Sequence, residues 1–298
     1  MRACGDWYFA LAPALRLAWV RLLVGAYALI YLIARLPHLW SYGAMQSSLF
    51  APVGIVHLLH APLPSWLYRA LVLLTLLGAL LFALGVCHRY LAPLFALLLL
   101  VVLSYSNSWQ KILHTDNLLV LHVGVLALSP AASAGRVAAS GSTVSPRFGW
   151  PLRLLTLITV SAYLLAGVAK CRHSGWEFVS GDTLRNYIAF ANMRKVALGS
   201  THSPLGVALL DAPGFFAVMA WLSLVLELGA PLALVGRRAA GLWILGVWLF
   251  HLGVLLLMAI AFLYPLTIIA FVAFFRVERA AARVRRWCRA KCAGICFA

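Results

Sequence analysis

The chain has 298 residues, of which 64% are hydrophobic and only 10% charged, too little polar surface to coat a water-soluble globule. Its 24 Lys and Arg against 7 Asp and Glu give a formal net charge of +17. In an apolar chain that excess signals topology and contact with anionic headgroups, so membrane lipids are expected as partners and nucleic acid is not. The class that remains is an all-α polytopic integral membrane protein.

Windows of about 18 to 22 apolar residues, enough to cross a hydrocarbon core of about 30 Å, recur along the chain. Residues 1–15 read as a short N-terminal cytosolic segment, in which Asp6 interrupts any signal-peptide n-region. The first apolar run, 16–36, is therefore expected to stay as an anchor. Further spans are expected at 66–87, 90–107, 112–130, 152–170, 215–235, 240–262 and 264–277, a bundle of about eight helices within 16–277. Between its halves, AASAGRVAASGSTVSP (131–146) is small, polar and rich in Gly and Ser, as a flexible connector is. No fixed-period repeat relates the halves. A basic cytosolic tail, 278–298, carries Cys288, Cys292 and Cys296 four apart, while Cys4, Cys87 and Cys171 are isolated, which is not a disulfide framework.

An even number of spans puts both termini on one side. With the termini inside, the cytosolic segments hold Arg89, Arg136, Arg147, Arg237 and Arg238, and the outer segment 37–65 has no Lys or Arg. The segment 171–214 breaks the pattern: it counts as outer, yet carries Arg172, Arg185, Arg194 and Lys195, with Lys170 at its membrane edge. Either the count is off by one, or these cations serve an anionic ligand or buried carboxylates.

Ionisable groups within apolar spans each need a partner, water or a task. The fourth span region, SYSNSWQKILHTDNLLVLHVGVLALSP, holds Asn107, Lys111, His114, Asp116, Asn117 and His122; the sixth span holds Glu227 and the seventh His251. With Lys170 these are expected to converge on one polar cavity. Local alternatives stay open. Thr115 or Asp116 could cap the helix that follows, and Glu227 could neutralise an Arg across the bundle. His122 and His251 could be interhelical hydrogen-bonders. His114 and His122 stand eight apart without a third ligand, so no metal is expected. Lys170 could snorkel to the headgroups. Against that, CRHSGWEFVSGD reads as a compact re-entry that covers the amine and leaves it available as base or nucleophile.

The runs YLLAGVAKCRHSGWEFVSGDTLRNY, SYSNSWQKILHTDNLLVLH and WLFHLGVLLLMAIAFLYPLTIIAFVAFF, by order, spacing and character, resemble the horizontally transferred transmembrane (HTTM) family, the membrane domain shared with vitamin K-dependent gamma-carboxylase. The resemblance covers Leu15 to Arg276. It implies an enzyme in which a lysine base deprotonates a reduced quinone of the vitamin K or menaquinol type. Oxygen addition then yields an alkoxide that removes a glutamate proton before carbon dioxide is captured. Ala166, Gly167 and Lys170 match the family's Ala-Gly-x-Lys-Lys segment, and Trp176, Val179 and Gly181 follow at similar spacing. The resemblance thus implies Lys170 as general base; on that reading His114 and Asp116 are its candidate catalytic partners, and Trp176, His251, Glu227 and Asn117 the candidate contacts of the quinone. Ala169 stands where the family has its first lysine, and His114 aligns only loosely with a Trp-Asn-Asn-His stretch. No counterpart of the carboxylase's large lumenal domain is expected after the tail, which argues against gamma-carboxylation of a recognised protein. The competing reading is a non-catalytic maturation or accessory factor that binds a lipid or a hydrophobic or exported peptide. A transporter needs broken helices at the midplane, for which only Gly229 and Pro231 speak. Short bacterial members of the family make a bacterial inner membrane the expected location.

Overall fold

The computed structural model describes residues 2–109, 112, 114–130 and 143–283. Lys111, most of the expected connector, and the tail from 284 with Cys288, Cys292 and Cys296 lie outside the described residues. In chain order the elements are α1 (Arg2–Tyr8), β1 (Ala12–Pro13), α2 (Ala14–Ala34), α3 (Leu36–Ser41), three short 3-10 turns between 42 and 58, α4 (Ser65–Leu84), α5 (His88–Asn107), α6 (His114–Leu128) and β2 (Val144–Ser145). There follow α7 (Pro146–Ser174), a 3-10 turn Gly175–Phe178, α8 (Asp182–Ala197), α9 (Pro204–Ala208), α10 (Pro213–Leu228), a 3-10 turn Ala230–Leu234, α11 (Arg237–Met258), α12 (Leu263–Leu266) and a 3-10 turn Ile269–Phe274. The two strands pair antiparallel, Ala12 opposite Ser145. The chain divides into two compact units, Met1–Leu155 with Val272–Ala298, and Thr156–Phe271.

In the first unit α4 packs against α5, α2 against α4, and α6 against both α5 and α2. The faces turned inward follow helical spacing: Ala92, Phe95, Leu99, Val102 and Ser106 on α5, and Tyr68, Val72, Thr75, Ala79 and Phe82 on α4, are all buried. The opposite faces, with Leu73, Leu77, Leu94 and Leu97 exposed, are as apolar as the interior. A surface of that kind is stable against lipid tails and not against water. Gly85 ends α4 in the left-handed region (φ 77), its N–H bonded to the carbonyls of Leu81 and Phe82.

The second unit packs α8 against α9, α10 and α11, and α11 against Ala230–Leu234 and α12. Several hydrogen bonds converge on the end of α11. Asn192 Nδ2 donates to Leu257 O (2.9 Å), Lys195 Nζ to Met258 O (2.8 Å) and Ala259 O (2.6 Å), and Ser203 Oγ to Leu256 O. The carbonyls that a helix leaves without intrahelical partners are thus bonded from other segments. Burial, and after it the neighbouring charge of Arg194, hold the Lys195 ammonium below its ordinary pKa.

Five described helices are long and apolar enough to cross a membrane: Ala14–Ala34, Ser65–Leu84, His88–Asn107, the helical run Pro146–Phe178, and Arg237–Met258. The pair Pro204–Asp211 and Pro213–Leu228, bent by 113°, makes a sixth if it counts as one broken span. This is the make-up of a multi-pass helical membrane protein, and among the described residues it has fewer full-length spans than the eight expected. The apolar stretch 112–130 yields α6, which at 15 residues is short for a crossing. The stretch 264–277 does not form one span: after α12, Ile268 at φ 66 takes the backbone out of the right-handed helix and a 3-10 turn follows. The expected span 215–235 likewise stops at Leu228, where Gly229 and Pro231 turn it into 3-10 helix.

The start of α2 is tied to the helical segment 277–283 by a bidentate ion pair, Arg16 Nε and Nη2 to the Glu278 carboxylate at 3.0 and 2.8 Å. Burial pushes the Glu278 carboxyl up, but the hydrogen bond and charge of Arg16 outweigh it and hold the group below its ordinary 4.5. A depressed folded-state pKa contributes stability above the unfolded value and loses it as pH falls through the folded one. Glu278→Gln should therefore lower stability by about 1 kcal/mol at neutral pH. Melting of both proteins in detergent across an acid titration should show that gap closing below pH 4.5. A gap that persists into acid would assign it to packing and not to charge.

Candidate functional site

Two buried polar clusters stand out, one in each unit. In the second unit, Tyr163, Gly167 and Lys170 lie four and three residues apart along α7, on one helical face. Gly167 lets α10 come close: a Cβ there would lie 3.0 Å from Glu227 Cβ and 3.1 Å from Leu228 N. That approach sets the Glu227 carboxylate beside the amine one turn further on, and Lys170 Nζ donates to Glu227 Oε1 at 2.7 Å. The side chains are 27% and 7% exposed, respectively. Phe178 and Phe250 present their rings to the ammonium, with centroids at 5.0 and 5.6 Å.

His251, two turns before the end of α11, shares a 2.7 Å hydrogen bond between Nε2 and the Tyr163 hydroxyl. Trp243 and Phe271 pack around Tyr163, and Phe250 and Phe262 around His251. The charge of Lys170 is felt at His251 and that of Glu227 at Tyr163, so the four groups form one electrostatic set. Among the described residues, two of their buried polar atoms find no hydrogen-bond partner, Glu227 Oε2 and His251 Nδ1. An open carboxylate lone pair next to an ammonium suits proton exchange with an uncharged hydroxyl.

The first unit holds Asp116 in the first turn of α6, 1% exposed. Tyr31 donates to Oδ1 at 2.5 Å, and Arg35 Nη1 reaches Oδ2 at 3.1 Å and the Tyr31 hydroxyl at 2.8 Å. Arg35 Nη2 donates to Ser106 Oγ at 3.2 Å. The network joins the end of α2 to α5 and α6.

Lys170, Glu227 and His251 are brought together in the second unit, while Asp116 belongs to the first. Asn117 is exposed, and Trp176 is 81% exposed on the turn whose Phe178 flanks Lys170. His114 opens α6, and its side chain lies outside the described residues. The Asp116 carboxylate is occupied by Tyr31 and Arg35, the counter-ion of Glu227 is Lys170 and not an Arg, and His251 bonds across helices to Tyr163. Among the cations of 171–214, Lys195 caps α11 and Arg185 Nε donates to Leu210 O at 2.6 Å; Arg172 and Arg194 stay exposed. Sequence reasoning missed Tyr31, Arg35, Tyr163, Phe178 and Phe250. The one available signal was spacing, since Tyr31 and Arg35 stand four apart and Tyr163 and Lys170 seven, each pair on one face. Compared with known proteins, the chain matches no family model, no curated protein and no solved structure.

Proposed function

We propose that the chain is an HTTM-type membrane protein whose second unit handles a hydroxyl proton of a lipid-soluble reduced quinone, of the vitamin K or menaquinol type, in a bacterial inner membrane with both termini cytosolic. One observation carries the reading. A half-buried Lys170 pairs with a buried Glu227 among apolar helices, with a buried carboxylate oxygen and a buried imidazole nitrogen left open beside it. Such atoms are costly to bury without partners, and a ligand that is apolar apart from its hydroxyls would satisfy them. When bound, the quinol would supply the acidic hydroxyl and the reducing equivalents. Lys170, Glu227 and His251 would bind it, orient it and hold the proton. Gamma-carboxylation of a protein substrate is not part of the proposal.

A second reading, a non-catalytic maturation factor that binds a lipid or an exported hydrophobic peptide, is favoured by the ion pair itself, since a neutralised lysine also serves a purely structural joint. Mass spectrometry of the protein purified in mild detergent tests between them. The expected result is a copurifying quinone, depleted from Lys170→Ala, together with oxygen-dependent consumption of added menaquinol by the wild type. Phospholipid alone, with no quinol consumed, would leave the maturation factor standing.

A further inference from the structure

We infer that Glu227 Oε2, not Lys170 Nζ, is the atom that takes the proton from the ligand hydroxyl, while Lys170 remains an ammonium throughout; this rests on the quinol reading above. An ammonium is a donor on all its N–H bonds and has no lone pair. Lys170 spends one of those bonds on Glu227 Oε1 at 2.7 Å, and its positive charge faces two aromatic rings. To act as a base it would first have to hand a proton to Glu227, dissolving the pair that neutralises both groups. Glu227 needs no such preparation. Its Oε2 is buried, has no donor, and belongs to a side chain only 7% exposed.

Position supports the same assignment. Glu227 is the penultimate residue of α10, at the helix end where carbonyl dipoles oppose a further negative charge. Lys170 offsets that opposition, and a proton on Oε2 removes it. In the step, the ligand O–H bond breaks and an O–H bond forms on Oε2. The electron pair stays on the ligand oxygen, so one unit of negative charge moves from the carboxylate to the ligand while the ammonium stays beside both. Net charge in the site is unchanged, which matters in a medium where isolated charge is expensive. His251, held through Nε2 by Tyr163, leaves Nδ1 open as a further ligand contact.

A chromogenic 1-naphthol tests this, chosen to be uncharged in water at the assay pH and to colour when its hydroxyl ionises. Wild-type protein in nanodiscs should bind it and develop the ionised absorbance. Lys170→Arg, which keeps a cation but cannot accept a proton, should still develop the colour. Glu227→Gln should bind the naphthol and stay colourless, and in a quinol assay lose at least about a hundredfold in rate, as removal of a general base does. A colourless Lys170→Arg beside a coloured Glu227→Gln would overturn the inference and make Lys170 the acceptor, with the quinol reading intact. If Glu227→Gln does not fold, loss of colour in Lys170→Arg still overturns it. Wild-type protein that neither binds nor colours the naphthol would remove the quinol reading itself.

Discussion

Asp116→Ala should destabilise the protein by about 3–5 kcal/mol, the usual cost of stripping one partner from a buried ion pair. Asp116 is 1% exposed and takes hydrogen bonds from both Tyr31 and Arg35. Removing it strands a guanidinium whose remaining acceptors, among them Ser106 Oγ and the Tyr31 hydroxyl, carry no charge. Asp116→Asn keeps an oxygen for Tyr31 and should fall between wild type and alanine. The double variant Arg35→Met, Asp116→Leu removes both charges and should recover much of the loss, because apolar replacement of a whole buried pair is often close to neutral. Melting midpoints in one detergent measure all four proteins. A double variant no better than Asp116→Ala alone would show that shape, and not charge compensation, holds α2 to α6.

Gly181→Ala should cost about 2–5 kcal/mol, from two sources that a neighbouring glycine separates. Gly181 sits at φ 90 ahead of α8, where an L residue pays about 1–2 kcal/mol for the left-handed backbone. A Cβ there would also lie 2.3 Å from Ala217 N and 2.6 Å from Phe216 C on α10. These are backbone atoms, so a helix must shift and not a side chain, at a further cost of about 1–3 kcal/mol. Gly175 has a similar backbone, φ 52, but open space around its missing Cβ. Gly175→Ala should therefore show the backbone cost alone, about 1–2 kcal/mol. Equal effects at the two positions would mean that α10 yields to the methyl without loss.

The long spans were legible because a run of apolar residues of bilayer length is nearly sufficient to define one. The expected 16–36, 66–87, 90–107 and 240–262 meet helices at Ala14–Ala34, Ser65–Leu84, His88–Asn107 and Arg237–Met258. Apolarity fails where length or backbone intervenes, as at 264–277, where Ile268 at φ 66 interrupts an otherwise unbroken apolar run. At the sites, Lys170, Glu227, His251 and Asp116 could each be picked out as a polar group in an apolar context, but their partners could not. Glu227 stands 57 residues from Lys170, and Asp116 stands 85 from Tyr31 and 81 from Arg35. Local periodicity says which face a residue occupies and nothing about which distant helix lies opposite. For Lys170 and Glu227 that information resides in the missing side chain of Gly167, which lets α10 approach.

The joint at the end of α11 bears on how the chain is made. Asn192, Lys195 and Ser203 are translated 53 to 65 residues before the carbonyls they bond. When α11 enters the bilayer its donors are already in place, and until it meets them its last carbonyls have no protein partner. Open carbonyls are tolerated beside water and headgroups and penalised at any greater depth. The last turn of α11 is thus closed by groups synthesised earlier in the chain and not by its own sequence alone.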